Sequence, residues 1–202
     1  MMRIIRLLSG ILITLAITFL GYCYLTKQGI FFIEEKTSEV KIGGEFSLIN
    51  QDGQIIRSRD FIDKYIMLYF GFSSCSKICP MNLGIISEVL SKLESNINNQ
   101  LQTFFITVDP ERDTIAKLTE FQQQFDHRIQ MLTGTRDEID TIITNYKVFV
   151  SNPIEIQQEI NHSSIIYLMG PKGQYITHFT IDSSSDDVLS DRIVDEIKKY
   201  IH

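Results

Sequence analysis

Two largely apolar runs, YIMLYFGF at 65–72 and LQTFFITV at 101–108, constrain this chain more than anything else in it. Each is about one strand long and neither alternates, so both read as strands buried on both faces, as in a parallel sheet covered by helices. Between them Ile86, Val89, Leu90, Leu93 and Ile97 recur at helical spacing. Pro80 falls near the start of that stripe, where its missing N–H costs nothing. Two strands joined through a helix predict a right-handed parallel crossover.

The neighbouring segments extend this pattern. Asp52-Gly53 sits between loosely alternating residues and predicts a small hairpin. Ile115, Leu118, Phe121 and Phe125 form a second helical stripe before a short strand at Ile129–Leu132, and Thr135 with Glu138 has the capping-box spacing of a third helix running to about Asn145. YKVFV, NPIEI and the run to His162 read as an extended excursion or hairpin. Ile165–Met169 and Gln174–Thr180 form a hairpin around Pro171-Lys172-Gly173, and Leu189, Ile193, Ile197 and Ile201 mark a last helix. The order is that of an α/β, thioredoxin-like domain.

At the other end of the chain, residues 7–26, LLSGILITLAITFLGYCYLT, carry no charge and match the roughly 20 residues that cross a bilayer as a helix. Arg3 and Arg6 precede this stretch, while Glu34 and Glu35 follow it, so the domain is expected outside the cytoplasm. The run is longer than a signal-peptide core and lacks a small-residue cleavage site, which favours an uncleaved single transmembrane helix. Tyr22, ahead of Cys23, is unlike the small residue before a lipid-modified cysteine. The expected division is residues 1–27 as anchor, 28–42 as linker and 43–202 as the domain. A net charge of −6 and no basic cluster exclude a nucleic-acid partner.

The first buried run ends at GFSSCSKICP, where Cys75 and Cys79 lie on a strand-to-helix turn. If that turn is helical from Cys75, the i, i+4 spacing sets both Cβ atoms on one face, about 5–6 Å apart. Such a pair can close a disulfide or hold one soft metal ion, and helix-start amides with Lys77 between the cysteines favour the thiolate. A permanent bridge closing so small a loop stabilises little, and a structural zinc site wants four ligands where no second cysteine pair exists. Of the histidines, His127 and His202 read as solvated and His178 as structural, whereas His162 precedes an apolar strand that could carry it over the turn. Redox and copper chemistry both remain open on the residues alone.

Three stretches, GFSSCSKICP at 71–80, VDPERDT at 108–114 and NHSSIIYLMGPKGQY at 161–175, together resemble the Sco/SenC family of membrane-anchored, thioredoxin-like copper proteins of cytochrome oxidase assembly. The resemblance implies copper, as Cu(I) and also Cu(II), held by Cys75, Cys79 and His162. It further implies delivery of copper to the binuclear copper site of an oxidase subunit. A thiol reductant or another copper chaperone would be a further partner, and residues 7–26 the membrane contact. The implied location is the bacterial inner membrane, periplasmic side, ahead of the mitochondrial inner membrane. Asp109, Pro110, Arg112, Asp113 and Thr114 would shape the site, with Arg112 and Asp113 as a local ion pair or helix cap. The alternative is a thiol-disulfide oxidoreductase using Cys75 and Cys79 as its redox pair; the surroundings do not look like a peroxiredoxin's. Ser76-Lys77 departs from the Pro-Asp pair common after the family's first cysteine, which bears on thiolate pKa, redox potential and partner choice.

Overall fold

The computed structural model describes residues 10–22, 24, 41–151, 164–180 and 186–201. Most of the expected linker, both ends of the expected anchor with Cys23, most of the excursion, His162 and His202 lie outside them. Residues 1–40 and 41–202 form two units. In the first, residues 10–22 are helical (α1), with exposed Leu12, Phe19 and Leu20. Among the described residues no helix is long and apolar enough to cross a membrane.

The second unit is built on a seven-stranded mixed sheet: β1 (Ser47–Asn50), β2 (Ile55–Arg57), β3 (Tyr65–Gly71), β4 (Leu101–Thr107), β5 (Ile129–Thr133), β6 (Ile165–Met169) and β7 (Tyr175–Thr180), in the order β2-β1-β5-β4-β3-β6-β7. The two apolar runs are β3 and β4, parallel and central as their composition requires, with Tyr69 opposite Phe105. β6 pairs antiparallel with the other edge of β3. Both faces are covered. Odd-numbered side chains such as Tyr69 and Phe105 meet α2 (Ile78–Lys92) and α4 (Ile115–Gln122), through contacts such as Phe105 with Phe121 at 5.8 Å. Even-numbered ones such as Phe70 and Phe104 meet Tyr146 of α5 (Arg136–Tyr146) and Phe46 and Phe61. Each fully buried large apolar side chain of this kind contributes about 1.5–3 kcal/mol.

Local signals act where expected. Gly53 takes a φ of 78° in the β1–β2 hairpin, and Thr135 and Glu138 cap each other's backbone N–H groups at the start of α5. One helical stripe is broken. α2 ends at Lys92 because Leu93 is extended, and Ile97 belongs to a separate turn, α3 (Ser95–Asn98). The Asn98 amide donates to the carbonyls of Leu90 and Leu93, satisfying groups that a continuing helix would have used. The last helix, α6 (Asp186–Ile197), packs beside α2, with the Lys92 ammonium on Ser190 and Asp191. Ile201 is buried beyond its end.

Candidate metal and thiol site

β3 delivers the chain to a turn in which Cys75 N–H donates to the Phe72 carbonyl. The helix starts at Ile78, with Lys77 as the residue before it, so Cys75 precedes the helix and does not share its face with Cys79. The sulfurs nevertheless converge. The Cys79 backbone N–H donates to Cys75 Sγ at 3.4 Å, the two thiols are in hydrogen-bonding contact, and no disulfide joins them. Cys75 is half-buried and reachable; Cys79 is wholly buried.

That burial decides the chemistry of Cys79. Loss of water pushes its thiol up to about 12, against two donors that favour the anion, the Phe72 N–H and the Tyr69 hydroxyl. The expectation that helix-start amides and Lys77 would lower the thiol is therefore overturned at Cys79, because Lys77 is exposed to water and the sulfur is not. Tyr69 itself is held protonated well above its ordinary range, first by burial and then by the neighbouring Cys79. Space here is tight. A Cβ added to Gly71 would lie 2.9 Å from Cys79 Sγ and 2.8 Å from the Phe105 ring, so only glycine lets the sulfur sit against β3.

The turn is tied down by Asp113. Its wholly buried carboxylate accepts from the Ser73 N–H (2.9 Å), the Ser73 hydroxyl (2.5 Å) and the Thr107 hydroxyl (2.6 Å), and so clamps the loop after β3 to the end of β4. This corrects the expected Arg112–Asp113 ion pair. Arg112 instead pairs with Asp109 and lies over the Phe72 ring at 5.9 Å, while Thr114, not Asp113, caps α4. Asp109, paired and buried, is not free to ligate a metal. On the rim, Lys117 Nζ donates to Ser74 Oγ at 2.7 Å.

Two of the expected site residues, Cys75 and Cys79, are thus together, and His162 lies outside the described residues. Among the described residues no three His, Cys, Asp or Glu side chains cluster to hold a metal ion. His127 is exposed beside Asp126, as expected. His178 is an exposed residue of β7 whose Nδ1 contacts the Tyr175 hydroxyl at 2.5 Å, so it has a partner within its own strand, as expected of a structural histidine. Residue-by-residue reading missed Tyr69 and Asn82, which stand behind Cys79, with the Asn82 amide donating to the Tyr69 oxygen at 2.8 Å. A polar residue within the α2 stripe was the available signal. Two soft sulfur donors on one turn fit a soft, low-coordinate ion such as Cu(I).

A thioredoxin-like sheet with a two-thiol turn at the end of its central strand defines a class of redox and thiol-metal proteins. Residues 34–202 match the SCO1/SenC family model, and the chain belongs to that family. It is 34% identical over 161 residues to the mitochondrial Protein SCO1 homolog 1 of Arabidopsis thaliana, covering 79% of this chain and 48% of that protein, about half its length. It is 36% identical over 154 residues to the SCO2-like protein of Rickettsia felis, covering 74% of this chain and 75% of that protein. The structure of Bradyrhizobium japonicum ScoI with copper bound superimposes with a TM-score of 0.70 at 30% identity, over 79% of this chain and 99% of that one. BsSco, described as having a disulfide switch and as a member of the Sco family of cytochrome c oxidase assembly proteins, superimposes with a TM-score of 0.63 at 25% identity, over 77% of this chain and 91% of that one.

Proposed function

We propose that this chain is a copper chaperone that binds copper through Cys75, Cys79 and His162 and delivers it to the binuclear copper site of a cytochrome c oxidase subunit. The observation that carries the reading is the pair of reduced, mutually contacting sulfurs, one reachable and one buried, on the turn after β3. Structural relatives with copper bound support it. Support for His162 comes from sheet register. β6 runs antiparallel to β3 with Ile166 opposite Tyr69, so β6 starts at the end of the sheet from which the cysteine turn leaves. The chain would hold the domain, 43–202, on the outer side of a bacterial inner membrane through residues 7–26 and a linker at 28–42. Titration of the reduced full chain with Cu(I) is expected to give one ion per chain, with weaker binding by His162→Ala. Equal stoichiometry and affinity in the two would remove His162 from the site.

The asymmetry of the thiols favours a second role, reduction of a disulfide in the oxidase subunit or another envelope protein. Cys75 thiolate would attack one sulfur, break that S–S bond and release the other sulfur as thiolate. Cys79 would then lose its proton and displace the product, leaving a Cys75–Cys79 disulfide for a thiol reductant to reopen. Cys79→Ser should trap the mixed disulfide at Cys75; no trapped partner under conditions that consume the thiol would count against this role.

A further inference from the structure

Cys79 sits in a cage of apolar residues, and a thiolate there needs donors. Tyr69, on β3 two residues before Gly71, supplies one: its hydroxyl donates to the sulfur, and the Phe72 N–H supplies a second. What makes the phenol point at sulfur is Asn82, one turn further along α2. Its amide group donates to the phenol oxygen at 2.8 Å, occupying a lone pair and leaving the O–H free to turn to Cys79. Asn82 is wholly buried, and its carbonyl oxygen has no hydrogen-bond partner among the described residues. A buried acceptor without a partner costs about 1–3 kcal/mol, which a leucine of the same shape would avoid. Stability alone therefore does not account for asparagine at this position, whereas orienting the Tyr69 proton does.

We infer that Asn82 and Tyr69 form a relay behind the site, Asn82 N–H to Tyr69 O–H to Cys79 Sγ, that sets how tightly the buried sulfur holds copper. This rests on copper ligation by Cys79. Tyr69 and Cys79 Sγ flank the same point beside Gly71, so a phenol fixed by Asn82 restricts where the sulfur can sit, and removing such an outer partner weakens a metal site. Both residues position the ligand and neither touches the metal.

The test uses the full chain in detergent micelles, with Cys23→Ser throughout so that Cys75 and Cys79 are the only thiols, and Cu(I) affinity read by competition with a chromophoric chelator. Tyr69→Phe keeps the ring and is expected to weaken affinity about 10- to 100-fold, as loss of an outer partner of a metal ligand does. Asn82→Leu is expected to weaken it roughly three- to tenfold, the equivalent of one neutral hydrogen bond, and to leave the thermal midpoint of the copper-free protein unchanged or raised. Combined with Tyr69→Phe it should weaken affinity no further. A Tyr69→Phe affinity within twofold of the parent overturns the relay. So does an Asn82→Leu effect that adds in full to that of Tyr69→Phe, or one that lowers only the midpoint. If Cys79→Ser leaves the parent's Cu(I) affinity unchanged, the copper reading falls along with the relay; a copper-binding parent with insensitive Tyr69 and Asn82 variants removes the relay alone.

Discussion

Asp113→Ala is the perturbation that most directly tests how the cysteine turn is held. The carboxylate is wholly buried and takes three donors, the Ser73 N–H and the hydroxyls of Ser73 and Thr107. Hydrogen bonds to a charged acceptor contribute about 1.5–3 kcal/mol each, and a buried donor left unsatisfied costs about 1–3 kcal/mol. The two hydroxyls can rotate towards other partners but the backbone N–H cannot, so the sum falls short of three full penalties, at about 3–5 kcal/mol. In a domain of this size, 2–4 °C of midpoint accompany each kcal/mol, so thermal unfolding should fall by about 6–20 °C. Near-UV circular dichroism on heating measures this. The clamp also predicts coupling: Ser73→Ala should cost far less in an Asp113→Ala background than alone, with an interaction of about 1 kcal/mol or more. Arg112→Ala, which strikes the Asp109 pair instead, should show no such coupling to Ser73. A loss below about 1 kcal/mol for Asp113→Ala, or full additivity with Ser73→Ala, would refute the reasoning.

Four further outcomes follow from the same geometry. At pH 8, iodoacetamide should modify Cys75 and spare Cys79, read by mass spectrometry of the peptides. Because burial raises the Cys79 thiol to about 12, the folded chain keeps a proton that the unfolded chain sheds near its ordinary thiol pKa. Stability from this group is whole below that value and falls as pH rises towards 12, by about 1.4 kcal/mol per unit, and Cys79→Ala should flatten that slope in alkaline denaturation. Gly71→Ala forces a methyl group against Cys79 Sγ and Phe105 and should cost about 1–3 kcal/mol in chemical denaturation, with weaker Cu(I) binding. Lys77→Glu should slow alkylation of Cys75 by anionic iodoacetate relative to neutral iodoacetamide, by up to about fivefold at low salt, and the difference should shrink at high salt.

Much of the scaffold was legible because its causes are local. A strand buried on both faces announces itself in YIMLYFGF, and Asp52-Gly53 and Thr135-x-x-Glu138 carry their turn and cap in the residues themselves. The site was legible only as far as it is contiguous. Cys75 and Cys79 are four apart, but Asp113 reaches Ser73 across forty positions, and its neighbour Arg112 offered a nearer, incorrect partner. Tyr69 reads as one more apolar residue of a strand until tertiary structure sets Asn82 and Cys79 on either side of its hydroxyl. The end of α2 was hidden for a similar reason, since Leu93 continues the stripe and the amide that closes the helix belongs to Asn98.

The position of β3 also has a consequence for the life of the chain before it is folded. Its two neighbours are made at very different times: β4 follows within about forty residues, but β6 sets Ile166 opposite Tyr69 nearly a hundred positions later, and α6, which packs beside α2, comes later still. Pairings of such long range are slow to form. Until β6 and α6 arrive, the helix bearing Cys79 lacks its final support, and a sulfur that ends up sealed from solvent is open to any oxidant it meets. Completion of the sheet and closure of a Cys75–Cys79 bond therefore compete while the chain is folding, and only the finished fold holds Cys79 out of solvent.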